Sequence, residues 1–211
     1  MRKTKLFIIY ITGFIFFITK IHAQENALHF DGVNDVVDCG TMASVFENVS
    51  TYTVESWLMF ENLSSSNSVF GKRLSDSQRD FVLQGSGSTM RAMVSGGFGW
   101  PSGSLTTNTW YHFAVVYNGG GATNADRLKM YINGTLQTLT FSGTVPSTTP
   151  VATGSRFTIG QEYSGSTPIS GTGGVCCGFA GKVEELRIWT TARTSAQISS
   201  NMNIEISYPQ S

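Results

Sequence analysis

Short β-rich segments separated by turn residues are the feature that most constrains the fold of this chain. Each combines β-branched and aromatic residues and is bounded by glycine, serine, asparagine or proline, as is typical of antiparallel strands. Residues 128–133 alternate apolar and polar side chains, the period of a half-buried strand, and Asn133–Gly134 then predicts a hairpin. The predicted strands are residues 52–60, 80–85, 89–95, 110–119, 127–134, 156–160 and 182–189.

Helix signals are confined to one late segment. Residues 191–202 predict a helix with Thr194 or Ser195 as its N-cap. The stretches rich in glycine, serine and threonine are predicted to be loops, at residues 85–108, 142–155 and 164–178. Many antiparallel strands with almost no helix predict an all-β sandwich or barrel.

The N-terminal residues have the order of a secretory signal peptide. A basic start is followed by a run of 14 mostly apolar residues and by a small residue, Ala23, suited to cleavage. The alternative, a membrane anchor, needs about 20 apolar residues. We therefore expect residues 1–23 to be removed and the protein to be secreted or displayed at the cell surface. Residues 24–203 form the predicted domain, and 204–211 a tail that starts a continuation of a longer protein.

Charge and cysteine content limit the partners and the cross-links. The chain has 14 basic and 14 acidic residues, and four of the basic ones lie in the predicted signal peptide. The remainder carries a net charge of −4, which gives no electrostatic basis for binding nucleic acid or an anionic membrane. Three cysteines allow at most one bridge within the chain.

Six segments in the same order resemble the laminin-G-like domains of the concanavalin A-like lectin/glucanase superfamily, close to its pentraxin-type branch. The resemblance covers residues 27–202 and implies a jelly-roll sandwich of two antiparallel sheets with one short C-terminal helix. Such domains include carbohydrate binders, adhesion and receptor modules, and glycoside hydrolases, so the fold alone does not choose a function. The segments are ALHFDGVNDVVDCG, YTVESWLMF, TWYHFAVVYNG, LKMYINGTLQ, FTIGQ and FAGKVEELRIWTTARTSAQI.

The hydrolase signature of this superfamily is absent from the sequence. Laminarinase-type members carry E-x-D-x-x-E or E-x-D-x-E on one strand, because alternate residues face the same sugar ring. Here Glu184 and Glu185 are adjacent, so strict alternation would send them to opposite faces. His112 is expected to have a structural role, with a hydrogen bond to Glu55 as a hypothesis. We predict a secreted, non-catalytic module that binds a glycan or an extracellular protein; the alternatives are a hydrolase with a non-standard site and a structural module of a larger adhesin.

A sugar-binding domain needs an aromatic platform for the apolar face of a hexose. Trp100 with Phe98 beside it is the first choice, because glycine-rich flanks predict an exposed loop, and Tyr163 is the second. The alternative is that these rings fold over the edge of the core.

The resemblance implies calcium as a cofactor. Asp31 and Asp35 would supply carboxylates from the N-terminal segment, and Glu184 a third from the last strand, where aspartate is more usual. The alternative is that the Asp31–Asp35 segment is a simple turn.

The resemblance also makes the first and last strands antiparallel neighbours. Placing residues 28–30 against 187–189 would bring Cys39 near Cys177 (or Cys176), so we expect a disulfide there. A bridge between the adjacent cysteines and three reduced thiols are the alternatives. The loop of nearly 140 residues that the expected bridge closes makes it worth about 4 to 5 kcal/mol in the chain-entropy model.

Overall fold

The computed structural model describes residues 27–63, 67–164, 167–168 and 178–204, and these form a sandwich of two antiparallel sheets. The strands in chain order are β1 (Leu28–Asp31), β2 (Val37–Asp38), β3 (Thr51–Phe60), β4 (Ser68–Ser75), β5 (Gln78–Ser86), β6 (Thr89–Val94), β7 (Gly97–Pro101), β8 (Trp110–Asn118), β9 (Leu128–Ile132), β10 (Thr135–Leu136), β11 (Leu139–Ser142), β12 (Thr158–Ile159), β13 (Tyr163–Ser164), β14 (Thr167–Pro168) and β15 (Ala180–Trp189). The helices are α1 (Ala43–Phe46), α2 (Asn124–Arg127) and α3 (Ser195–Asn201).

Two main sheets account for the architecture. Sheet A has six strands in the order β1-β15-β3-β8-β9-β10, and sheet B has seven in the order β11-β7-β6-β5-β4-β12-β2. Strands β13 and β14 pair with each other in a small separate sheet. The arrangement confirms the predicted all-β, two-sheet sandwich with a short C-terminal helix and is consistent with a jelly roll. Among the described residues, no helix has the length and hydrophobicity that crossing a membrane requires.

Aromatic side chains fill the space between the two sheets. Phe46 on α1 stacks on Phe157 with ring centroids 5.1 Å apart and meets Tyr52 edge-on at 5.2 Å. Phe81 of sheet B also stacks on Phe46, with ring centroids 6.2 Å apart. All four rings are fully buried. Burial of this much apolar surface is the main stabilising contribution to the fold.

All seven predicted strands are present, with small changes at their ends. Eight of the fifteen strands lie outside these predicted segments, and the longest of them are β4, with eight residues, and β7, with five. Strand β4 includes Lys72, a residue type that is rarely buried. Lys72 is fully buried because its ammonium nitrogen lies 2.7 Å from a Glu47 carboxylate oxygen and 3.0 Å from one of Asp80. Burial raises the pKa of Asp80 to about 7, against the opposing effect of Lys72.

The first and last strands are antiparallel neighbours, but in a different register from the expected one. Leu28 pairs with Val183 and Asp31 with Ala180, so residues 28–30 do not lie against 187–189. The chain then leaves sheet A, and Cys39 donates its backbone N–H to Phe157 O, just before β12 of sheet B. The register argument for the disulfide is therefore wrong. Cys176 and Cys177 lie outside the described residues, so the pairing itself stays a prediction.

A β-bulge interrupts strand β15 between Glu184 and Arg187. Glu185 has a φ of 53°, and its carboxylate accepts a hydrogen bond from Arg187 Nη2 at 2.7 Å. The prediction that Glu184 and Glu185 face opposite sides of the sheet assumed strict alternation. The bulge interrupts that alternation at these residues.

Helix α3 covers part of the outer face of sheet A. Thr194 caps it, accepting from Gln197 N while the Gln197 side chain accepts from Thr194 N, a capping box. Trp57 Nε1 donates to Met202 O at 2.8 Å, and Arg187 Nη1 donates to Asn201 O at 2.7 Å. These bonds hold the end of the helix on the sheet.

On sheet A, the buried side chains of Glu55 and His112 contact different neighbours. Trp189 Nε1 donates to Glu55 Oε1 at 2.9 Å, and the Arg193 guanidinium lies 3.9 Å above the Trp189 ring. The His112 ring meets Trp57 edge-on, while His112 Nδ1 and Glu55 Oε2 have no hydrogen-bond partner. The hypothesised bond between Glu55 and His112 is therefore not formed.

Removing the central ring of the core tests this packing. Phe46→Ala should lower the free energy of unfolding by about 3 to 5 kcal/mol, since it leaves a cavity among three aromatic rings. Val151→Ala, at a residue that is 52% exposed, should change it by less than about 0.5 kcal/mol. Urea unfolding followed by fluorescence measures both, and equal losses would contradict the packing.

Acid should destabilise the fold through His112. Burial, with Arg187 nearby, lowers the pKa of His112 from 6.5 to about 4. The unfolded chain therefore binds the proton more tightly, so stability is fully present above about pH 6.5 and falls as the pH drops towards 4. Complete protonation of His112 should lower the free energy of unfolding by roughly 3 kcal/mol.

His112→Asn should remove that part of the pH dependence when urea unfolding is compared at pH 7 and pH 4. The burial-raised pKa of Glu55 acts in the opposite sense, but in both proteins, so the comparison isolates the histidine. His29→Asn, at an exposed histidine in β1, is the matched control. An unchanged slope in His112→Asn would contradict the account.

Candidate functional site

A stacked pair of aromatic rings lies on the outer face of sheet B. Phe98 and Trp100 are both on β7, with ring centroids 5.5 Å apart and planes 30° from parallel. The two side chains are half-buried, and neither belongs to the core between the sheets. The predicted pairing of the two rings is present, but the predicted loop is wrong, because β7 is a strand within sheet B.

Glycines on β7 explain why the rings point outwards. Alternate residues of a strand face opposite sides of a sheet, so Gly97 and Gly99 face inwards when Phe98 and Trp100 face outwards. A Cβ atom at Gly99 would lie 2.8 Å from a ring carbon of Phe141, which packs against the core. Gly99 is therefore required by close packing with β11, and Gly97 by close packing with the backbone of Thr144 and Val145.

Arg91 extends this aromatic surface with a positive charge. It lies on β6 opposite Gln84, whose side-chain oxygen accepts from Arg91 Nε at 3.2 Å and from Nη2 at 2.6 Å. Its guanidinium carbon lies 5.7 Å from the centre of the Phe98 ring. Arg91, Phe98 and Trp100 form what we call the arginine–aromatic patch.

Exposed hydroxyl groups border the patch on its other side. Thr140 pairs with Trp100 and Ser142 with Phe98 across the β11–β7 ladder, and both β11 residues are exposed. The patch thus combines flat apolar rings, a held guanidinium and adjacent hydroxyls. These are the groups that stack on a sugar ring and bond to its polar substituents.

A charged cluster continues across strands β4 and β5. Arg73 donates to Glu162 Oε1 at 2.8 Å and lies 3.0 Å from Asp76, which also pairs with Arg79. Burial lowers the pKa of the Arg79 guanidinium; Asp76 and Glu162 oppose that effect, while Arg73 and Arg91 add to it. Arg79 is therefore influenced by Arg91 of the patch as well as by its own neighbours. We call Arg73, Asp76, Arg79 and Glu162 the charged cluster.

Glu162 is the most enclosed member of the charged cluster. Its side chain is fully buried, and Oε2 has no hydrogen-bond partner within the part of the chain that the structure describes. Space for it exists because Gly71 on β4 has no side chain: a Cβ atom there would lie 3.0 Å from Glu162 Cγ. The Nε atoms of Arg73 and Arg79 are likewise buried without a partner.

Sequence reasoning named only the two rings of this surface. Arg91 occurs between Met90 and Ala92 in a predicted strand, so its outward position follows from alternation. That signal was available and not used. Glu162 carried no such signal, because only the folded chain brings it to β4. Of the third predicted aromatic, Tyr163, the structure describes the backbone in β13 but not the side chain.

The predicted calcium ligands are not gathered around one point. Asp35 Oδ2 accepts from Asp31 N at 2.8 Å, and Asp31 Oδ1 accepts from Val33 N at 2.7 Å, so both carboxylates stabilise their own turn. Asp31 pairs with Ala180, four residues or about 13 Å along β15 from Glu184. In the described part of the chain, no group of three or more acidic, histidine or cysteine side chains is arranged to hold a metal. Calcium binding stays a prediction.

Comparison with known structures supports the fold. A heptameric SAP-like pentraxin from Limulus polyphemus is 17% identical, with a TM-score of 0.58, over 81% of this chain and 78% of that one. A protein from Bacteroides ovatus, described as carbohydrate-binding, is 21% identical, with a TM-score of 0.61, over 83% of this chain and 46% of that one. Domain 4 of an extracellular arabinanase from Geobacillus stearothermophilus, solved with arabinotriose, is 19% identical, with a TM-score of 0.57, over 82% and 75%.

At these identities the solved structures establish the fold alone. A search of curated protein sequences gives no match. A laminin G family model, described as the concanavalin A-like lectin/glucanases superfamily, matches residues 31–199. With most of its length matched by that model and two antiparallel sheets in a sandwich, the chain belongs to the laminin-G-like family of the concanavalin A-like lectin/glucanase superfamily.

Proposed function

We propose that this domain is a non-catalytic glycan-binding module and that it binds through the arginine–aromatic patch. The observation that carries the proposal is the stacked, half-buried pair Phe98 and Trp100 on the outer face of sheet B. Rings that serve only packing would face the core, as Phe141 on the neighbouring strand does. An outward aromatic surface with a held guanidinium suits a sugar ring.

The two outer faces of the sandwich differ in a way that favours sheet B. On sheet A, Arg187 donates to the last residue of α3 and Trp57 to the residue after it, so these polar groups are already used. On sheet B, the hydrogen-bond partner of Arg91 among the described residues is one neutral side chain, Gln84. The Bacteroides ovatus protein and the arabinanase domain add support, since one is described as carbohydrate-binding and the other was solved with arabinotriose.

In this proposal the domain is exported and binds without turnover. Export is supported by the signal-peptide pattern of residues 1–23. Binding without turnover is supported by the sequence, which lacks the paired carboxylates of the laminarinase-type hydrolases. An extracellular protein is the other partner class that the resemblance implies.

Truncation of Trp100 should weaken glycan binding by about tenfold or more, because the ring at the centre of a binding surface supplies much of its affinity. Residues 24–211 would be screened against immobilised arabinan, β-glucan, galactan, pectin and alginate, and each polysaccharide that binds would be titrated with Trp100→Ala. Trp110→Ala is the matched control, since Trp110 is also half-buried but lies on sheet A.

If Trp100→Ala bound as tightly as the wild type, the arginine–aromatic patch would not be the binding site. If the wild type bound none of the polysaccharides, the proposal of glycan binding would be contradicted. The same mixtures would be assayed for released reducing sugar. Release by the wild-type domain would show turnover and favour the hydrolase alternative.

A further inference from the structure

We propose that the glycan bound by this face carries carboxylate groups, so that the domain recognises an acidic polysaccharide; this rests on the proposed function. Three observations point the same way: the uncompensated charge of Arg91, the excess of arginine over carboxylate on this face, and the unpartnered polar atoms of the charged cluster.

Arg91 has a charge that no carboxylate among its described contacts neutralises. Its Nε and Nη2 donate to the neutral Gln84 oxygen, and its plane lies near Phe98. These two contacts fix the guanidinium beside the stacking surface. A held guanidinium matches a carboxylate in shape and charge better than a lysine would, and less order is lost on binding. A sugar stacked on Phe98 and Trp100 would place its substituents next to that group.

Arginines outnumber carboxylates in the arginine–aromatic patch and the charged cluster taken together. Arg73, Arg79 and Arg91 face two carboxylates, Asp76 and Glu162, which leaves an excess of one positive charge. Residues 24–211 together carry a net charge of −4. Arg73 and Arg79 are paired with carboxylates, so the remaining positive charge is that of Arg91 beside the Phe98 ring, which favours an anionic ligand at this point of the surface.

The charged cluster also contains buried polar atoms that lack partners. These are Glu162 Oε2, Arg73 Nε and Arg79 Nε. Native proteins keep few such unpaired atoms. The two arginine nitrogens are donors that match a carboxylate, whereas Glu162 Oε2 is an acceptor that matches a donor such as a sugar hydroxyl.

Chemically matched polysaccharides test the inference. Polygalacturonate, alginate and hyaluronan would each be compared with their carboxyl-reduced forms, which keep the backbone and lose the charge. We expect at least one acidic polymer to bind about tenfold or more tightly than its reduced form, and the difference to shrink as NaCl rises from 50 to 500 mM. Dextran sulfate, against dextran, distinguishes sulfate from carboxylate.

Arg91→Gln should weaken binding of the acidic polymer by about tenfold more than it weakens binding of the reduced form. Arg91→Lys should retain part of the preference. Lys129→Gln, the same charge change on β9 of sheet A, should have no effect. Unchanged urea midpoints would establish that each variant is folded.

The outcomes separate this inference from the proposed function. Equal binding of acidic and reduced polymers would overturn the inference and leave the glycan-binding proposal standing. Dextran sulfate binding as tightly as the carboxylate polymers would overturn the choice of carboxylate. Absence of binding to any polymer, charged or neutral, would overturn both.

Discussion

Burial of aromatic rings between the two sheets is the constraint on which the rest of this structure depends. Because Phe81 and the neighbouring core residues must face inwards, every alternate residue of β5, β6 and β7 must face outwards. That alternation places Arg91, Phe98 and Trp100 on one surface. A shift of one residue in β7 would bury the two rings and expose the glycines that now pack against β11 and the residues after it. The core therefore determines the composition of the candidate binding face.

The two outer faces of the sandwich have different roles in this account. Helix α3 and the residues after it cover part of sheet A and accept hydrogen bonds from Trp57 and Arg187, while Trp189 donates to Glu55 within the sheet. Sheet B presents half-buried rings and three arginines. Strand β15 lies in sheet A and has a structural role, because its bulge lets Glu185 accept a hydrogen bond from Arg187.

The sequence predicted the sandwich and the two rings because alternation and turn chemistry are local signals. It missed β7 because glycines typical of loops are used there for close packing, and β4 because buried Lys72 depends on Glu47 and Asp80, which are distant in sequence. The register of β1 with β15 could not be predicted either, since nothing local specifies how two distant strands slide against each other. Strand β4, strand β7 and the register of β1 with β15 all depend on contacts between segments that are distant in sequence, which local patterns do not predict.

The most direct test of the central claim is a titration that reports on each tryptophan separately. An assigned ¹H–¹⁵N spectrum of residues 24–211 would be followed as oligogalacturonate is added, and the four indole N–H signals of the chain compared. The account predicts that the Trp100 signal moves with saturation, while Trp57 and Trp189, hydrogen-bonded on sheet A, stay in place. A saturable shift at Trp57 or Trp189 with Trp100 unmoved would contradict it.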